Sequence, residues 1–318
     1  MPAPRETATI VQVARLYYEQ GRSQSQIAHD LDLSRSNVSR ILSQARDRGI
    51  VEIAIHDPDA PPVRDPGLER SLAGAFPTLH DVHVLGSGSR GLETVAQHTS
   101  EVLADRLPRI RSMGLSWGQT VQHVVASLPQ LQLHPAPQVW PLVGGLSALD
   151  QLDSGDSVLR VLAERVGARP VTLYAPAILE SALAARALLG ESSIASVLEA
   201  AAQVDLALVG IGSYGLHSSP HLVDRMHLSD QERLAFAAEQ PVGDVCGRFL
   251  RADGRPVTGP SADRVLAVTI DQLAAIPDVV GVAAGAEKAP GTLGVLRSGV
   301  LDTLVVDAPL ARAVLATD

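Results

Sequence analysis

Apolar side chains recur at helical spacing near the start of the chain. Ile10, Val13, Ala14 and Tyr17 share one face over residues 8–20, and Gly21 is placed to stop that helix. Residues 24–31 predict a second, short helix with Ile27, Ala28 and Leu31 on one side. After the turn Asp32-Leu33, Ser34 is a good N-cap for a third helix, because its hydroxyl can accept a first-turn N–H. That helix runs from Arg35 to about Arg48 and buries Val38, Ile41, Leu42 and Ala45. Gly49 ends it, and residues 51–55 then alternate like a short strand, readable as a wing. Residues 57–66 hold four Pro and three Asp, the composition of a stiff, solvated linker. The pattern divides the chain into a helical head at 1–57, a linker at 58–67 and a larger domain at 68–318.

The period changes after residue 68. Short β-rich runs at 82–85, 113–115, 139–143, 171–174, 206–211, 265–270, 279–283 and 303–306 alternate with helical stretches. Strands separated by helices predict an α/β domain built on a largely parallel sheet. Several runs end in Gly- and Ser-rich loops, where open α/β sheets bind ligands.

Apolar residues make up 46% of the chain and aromatics 3%, so Leu, Val, Ile and Ala must build the core. A single cysteine, Cys246, excludes an intramolecular disulfide and a multi-cysteine zinc site, and reads as a small buried side chain. Neither a signal peptide nor a long uncharged apolar run is visible, so a soluble cytoplasmic protein is expected. The formal net charge is −9, but it is unevenly spread. Residues 1–56 hold seven Arg and six acids; the remainder holds 19 basic and 29 acidic residues. A near-neutral head neutralises few phosphates, so one copy would bind DNA weakly. That favours a homodimer or homotetramer placing several heads on one operator. The chain contains 25 Arg and one Lys, Lys288, which suggests a position needing a compact ammonium rather than a planar fork, the plainer alternative being a surface Lys kept by chance.

Two short helices followed by a polar-faced third fit a helix-turn-helix, with the last as reading helix. Arg35, Ser36, Asn37, Ser39 and Arg40 are left for its outer face. Arg can read guanine, Asn can read adenine, and Ser can serve a base or a phosphate. A generic three-helix packing module with a solvated face is the plainer alternative.

In the larger domain, several loops have the chemistry of an anion cradle: exposed N–H groups at a helix start with nearby hydroxyls. Gly86-Ser87-Gly88-Ser89 follows one predicted strand. Gly114-Leu115-Ser116-Trp117-Gly118-Gln119-Thr120 joins another to a helix. Val143-Gly144-Gly145 and Gly210-Ile211-Gly212-Ser213 end two more, and Gly285-Ala286-Glu287-Lys288 opens a helix. Glycine at a strand end also has a purely steric use, so five such loops together carry the point. Asp244, in Pro241-Val242-Gly243-Asp244-Val245-Cys246-Gly247, can accept hydrogen bonds from ligand hydroxyls or can cap a turn. His217 and His221 are four apart, but the Pro between them reads as loop, and no metal site or cofactor is expected.

The stretch LYYEQGRSQSQIAHDLDLSRSNVSRILSQARDRGIVEIAI resembles the N-terminal domain of SorC-type sugar-responsive regulators almost position for position. The resemblance implies that Ser34, Arg35, Asn37, Ser39 and Arg40 contact DNA. The stretches GLSWGQTV, PLVGGL, YAPAIL, DLALVGIGS, PVGDVCGRFLRADGRPV and GVAAGAEKAPGTLGVLRSGVLDTLVVD resemble the sugar-binding domain of the same family, in order. That domain is similar in fold to glucosamine-6-phosphate deaminase and ribose-5-phosphate isomerase, so the resemblance implies a Rossmann-like parallel sheet. It also implies a phosphate end at Gly114, Ser116, Gly118 and Thr120, ligand hydroxyls on Asp244, and an anionic oxygen on Lys288. Two departures stand out: Ala284-Gly285 where the family has Gly-Gly, and Ala308 after Asp307.

The expected function is therefore a sequence-specific transcriptional regulator, a repressor by default, controlled by a small sugar, sugar phosphate or polyol. The alternative is a sugar-phosphate isomerase or deaminase with a DNA-binding appendage. Deaminases of this fold carry a Gly-Ile-Gly-x-Asp-Gly-His loop. Here Gly210-Ile211-Gly212-Ser213-Tyr214-Gly215-Leu216 keeps the glycines but not the acid or the His, and His217 comes one position late.

Overall fold

The computed structural model describes residues 7–51, 63–86, 91–145, 155–216 and 219–317, with backbone alone at 155 and 156. The expected wing beyond Val51, most of the linker, Ser87 to Ser89 and His217 lie outside the described residues. The chain divides into two compact units, Met1–Ala60 and Pro61–Asp318.

In the first unit the 8–20 periodicity produces α1, Thr7–Ala14, which widens into a π-helical turn over Arg15–Glu19. Helix α2, Gln24–Asp30, begins with a capping box: Ser23 accepts the Gln26 N–H, and the Gln26 side chain accepts the Ser23 N–H. Helix α3, Arg35–Asp47, begins at Ser34, whose hydroxyl accepts the Asn37 N–H at 3.2 Å. Ile10, Val13, Ile27, Val38, Ile41, Leu42 and Ala45 close into a core of their own. Arg22 pairs with Asp30 across the outside of α2.

The second unit begins with α4 (Pro66–Ala75), β1 (Asp81–Leu85), α5 (Gly91–Arg106), β2 (Ser112–Leu115) and α6 (Gln119–Ser127). It continues with β3 (Gln138–Pro141), α7 (Gly155–Val166), β4 (Arg169–Pro170), α8 (Ala182–Leu189), α9 (Ser192–Ala201), β5 (Leu206–Gly210) and β6 (Gly212–Ser213). Then follow α10 (Ser219–Arg225), α11 (Asp230–Ala238), β7 (Pro241–Val245), β8 (Arg248–Arg251) and α12 (Ile270–Ala274). The last elements are β9 (Val279–Ala283), α13 (Ala289–Arg297), β10 (Thr303–Asp307) and α14 (Ala308–Thr317). Among the described residues the main sheet has seven strands in the order β1-β10-β9-β5-β2-β3-β4, all parallel, and β6-β7-β8 form a small antiparallel sheet.

Alternation along the central strands distributes side chains to two cores. Leu206, Leu208, Val280, Val282 and Val305 pack with α5, α6 and α7 on one face. Ala207, Val209, Val279, Leu304 and Val306 pack with α4, α13 and α14 on the other. Burial on both faces is the condition under which a parallel sheet is stable. No helix of the described residues is long and apolar enough to cross a membrane.

Three expectations need correction. The strand expected at 171–174 is displaced to Arg169–Pro170 at the sheet edge. The run 265–270 is not a strand: Val265 and Ala267 make single bridges to Ile178 and Val143, and Ile270 opens α12. Val265, Leu266, Ala267 and Val268 are buried as an irregular segment, and such a buried apolar run resembles a buried strand in sequence. The hairpin β7–β8 was not foreseen. It turns at Cys246 and Gly247, both with positive φ (53° and 72°).

Candidate functional site

From β2 the chain winds toward β3 and β4; from β5 it winds the other way, toward β9 and β10. The loops leaving the carboxyl ends of β2 and β5 therefore diverge, and a crevice opens where parallel sheets bind ligands. A cavity of about 680 Å³ occupies that place. Its walls are the start of α5, the β2–α6 loop, the end of β5 with β6, the β7 hairpin turn, and the loops after β9 and β10.

The sequence-predicted residues Ser116, Gly118, Gln119, Thr120, Gly212, Asp244, Gly285 and Lys288 all line this cavity. Others do not. Gly114 lies beneath it: a Cβ there would come within 2.5 Å of Leu142 Cδ2 and 3.1 Å of Val204 Cγ2, so its glycine makes room for the segments that flank β3 and β5. Gly145 faces a separate small space and bridges Pro176. Gly86 donates its N–H to the Val63 carbonyl at 2.8 Å, and Ser87 falls outside the described residues. Other lining residues were not predicted as ligand contacts, among them Trp117, Leu216, His221 and Asp307. His221 sits on α10, not on the loop that Pro220 suggested; Pro is tolerated in a first helical turn. Asp307 could have been found, because an acid ending an otherwise apolar strand needs a reason.

Local geometry suits a polar, anionic ligand. Gly118 holds φ 121°, ψ 159°, a conformation essentially confined to glycine, and α6 starts after it with no side-chain cap. The first-turn N–H groups of α6 thus meet the cavity with their positive dipole end. Ser116 fixes that loop to β5: its N–H donates to the Leu208 carbonyl at 3.0 Å, and its hydroxyl accepts the Gly210 N–H at 3.1 Å. Asp307 ties two other walls, accepting the Gly285 N–H and the Leu310 N–H, each at 3.0 Å. Burial raises its carboxyl above the ordinary range, offset by those N–H donors.

Asp244 is 7% exposed, and burial pushes its carboxyl up to about 6 against the pull of the Gly247 N–H and the Lys288 charge. The buried Ser219 hydroxyl lies beside it and also draws the carboxyl down. Lys288 is held below the usual lysine range by burial, against the nearby carboxylates of Glu287, Asp244 and Asp307. Cys246 is buried with its thiol pushed up to about 12, which leaves it protonated and poorly nucleophilic.

In the first unit, Arg35, Ser36, Ser39 and Arg40 are exposed on α3, and Asn37 is half-buried. Ser34 is engaged as the helix cap, and its hydroxyl lies 3.0 Å from that of Ser36.

Comparison with known proteins agrees with this division. The family model described as "Putative sugar-binding domain" matches residues 63–316, and the model for sigma-70 region 4 matches residues 10–48. The transcriptional regulator LsrR of Klebsiella pneumoniae subsp. pneumoniae is 30% identical, over 98% of this chain and 94% of its own. The sorbitol operon regulator of Klebsiella pneumoniae is 29% identical, over 96% of this chain and 97% of its own. The crystal structure of the full-length sorbitol operon regulator SorC from Klebsiella pneumoniae aligns with a TM-score of 0.70 at 28% identity, covering 97% of this chain and 98% of that one. A helix-turn-helix joined to a sugar-binding α/β domain, with transcriptional regulators as relatives over the full length, places this chain in the SorC family of DNA-binding, sugar-binding transcriptional regulators.

Proposed function

We propose that this regulator is a repressor whose hold on its operator weakens when a phosphorylated sugar or polyol fills the cavity. The observation that carries the reading is one volume bounded by an uncapped helix start, a half-buried ammonium and a buried carboxyl. An anionic group seats on the α6 N-terminus, with Ser116, Gly118, Gln119 and Thr120 around it. Asp244 accepts hydrogen bonds from ligand hydroxyls beside Gly212, and Lys288, next to Gly285, pairs with an anionic oxygen. On DNA, Arg35, Ser36, Asn37, Ser39 and Arg40 face the groove while Ser34 holds the helix start. A homodimer or homotetramer pairs these heads with a palindromic operator.

The pocket binds without turnover. Tyr214 and Leu216 stand where a deaminase of this fold has its acid and histidine. Tyr214 instead packs edge-on against Phe236 and Phe249. Full-length protein mixed with a promoter fragment and a panel of sugar phosphates and polyols tests the reading. At least one compound should raise the melting temperature and release the DNA, and Lys288→Ala should abolish both effects. Operator binding indifferent to every compound, or specific isomerase or deaminase turnover, would overturn it.

A further inference from the structure

Trp117 touches more than the cavity. It lines the large cavity on one side and a small space of about 30 Å³ on the other, shared with Val143, Gly145 and Leu173. Its indole N–H donates to the Gly144 carbonyl at 3.0 Å, which fixes the ring against the β3 loop. Gly144 has no slack: a Cβ there would lie 2.6 Å from the backbone of Pro176 and 2.7 Å from the Ala175 carbonyl. The Gly145 N–H donates to Ala175 at 2.9 Å, and the Ala177 N–H donates back to Gly145 at 2.8 Å. A displacement of the indole must therefore reach segment 173–179 through backbone.

That segment leads out of the domain core. Leu173 and Ala175 anchor it in a separate apolar cluster with Ala185, Ile194 and Leu198 of α8 and α9. Tyr174 is 90% exposed and Leu183, on α8, is 70% exposed. A second cavity wall reaches the same segment: Gly247 lies against Val265 and Ile178, which bridge each other. The small space behind Trp117 is large enough for about one water. A close-packed ring could not shift, and this one has room on its far side.

We propose that Trp117 is a positioning residue that carries the state of the cavity to segment 173–179 and α8, rather than a contact that sets ligand affinity. The inference rests on the cavity being the effector site. It deepens that reading by naming how an occupied site acts on another surface.

Trp117 and Trp140 are the two tryptophans of the chain, so Trp140→Phe leaves Trp117 as sole reporter. Inorganic phosphate serves as the cavity probe, with binding read by thermal stabilisation of the full-length protein. In W140F, phosphate should change Trp117 emission. In wild type it should change amide exchange across residues 173–189 about fivefold. Trp117→Phe keeps a ring and removes the N–H, so phosphate should still bind within about threefold while the exchange response disappears. An unmoved Trp117 emission at full stabilisation overturns the proposal. So does an undiminished exchange response in W117F, or a tenfold loss of phosphate affinity there. If neither phosphate nor any sugar phosphate stabilises the wild type, the effector-site reading itself fails and this inference falls with it.

Discussion

At the scale of single residues, Asp244 shows what a buried acid in the proposed site costs the fold. Its carboxyl is raised from 3.8 to about 6, so the folded protein prefers the protonated form. The associated stability is fully present below 3.8 and is lost as pH rises through about 6. Above that, the buried charge costs on the order of 3 kcal/mol, an upper figure. Asp244→Asn keeps an acceptor for the Gly247 N–H and removes the charge. Its melting temperature should match wild type near pH 4 and exceed it by several degrees near pH 8, while sugar-phosphate binding is lost. Equal melting curves across that range would show that the carboxylate is solvated after all. The residue was legible because an acid between glycines is unusual, but its burial was not, since Gly212 of β6, Ser219 and Lys288 come against it from outside the motif. Lys288 was legible by contrast with 25 arginines. Trp117 and His221 were not, because their roles depend on which wall they face.

At the scale of elements, legibility followed the strength of local signals. Helices α2 and α3 are capped by Ser23 and Ser34, and the Ser34 cap was legible in sequence. The hairpin β7–β8 carries little β-branched alternation and turns at Cys246 rather than at an Asn-Gly pair, so period and turn rules passed it over. Arg169–Pro170 is too short to show a period at all. Helix α6 is the element on which the site most depends. A Cβ at Gly118 would meet nothing within 4 Å, so only the backbone conformation demands glycine there. Gly118→Ala should cost about 1–3 kcal/mol through that strain. The start of α6 should tilt away from its present aim, and stabilisation by phosphate should weaken about tenfold with helix content unchanged. A variant that lost stability but kept full phosphate stabilisation would separate Gly118 from anion binding.

At the scale of the whole molecule, charge decides how DNA is held. The head residues 1–56 are nearly neutral while the remainder carries ten more negative than positive charges, 29 acids against 19 basic residues. In the proposed DNA complex, repulsion from the acidic domain is outweighed by contacts from exposed side chains such as Arg35 and Arg40. Counterion release makes the number of contacts measurable, because log K falls with log salt at about 0.9 per phosphate neutralised. A single head engaging about two phosphates would lose roughly tenfold in affinity between 50 and 200 mM salt, and two heads acting together roughly a hundredfold. The steeper dependence is expected for this chain on its operator, with Arg40→Ala binding more weakly and shallower in slope. A shallow slope in the wild type would mean that one head suffices, and the argument for an oligomer from the near-neutral head would lose its footing. The effector then needs to supply only about 1.4 kcal/mol of coupling to change occupancy tenfold. In the proposed oligomer, a modest rearrangement between copies would provide that, because every head must be seated for the complex to hold.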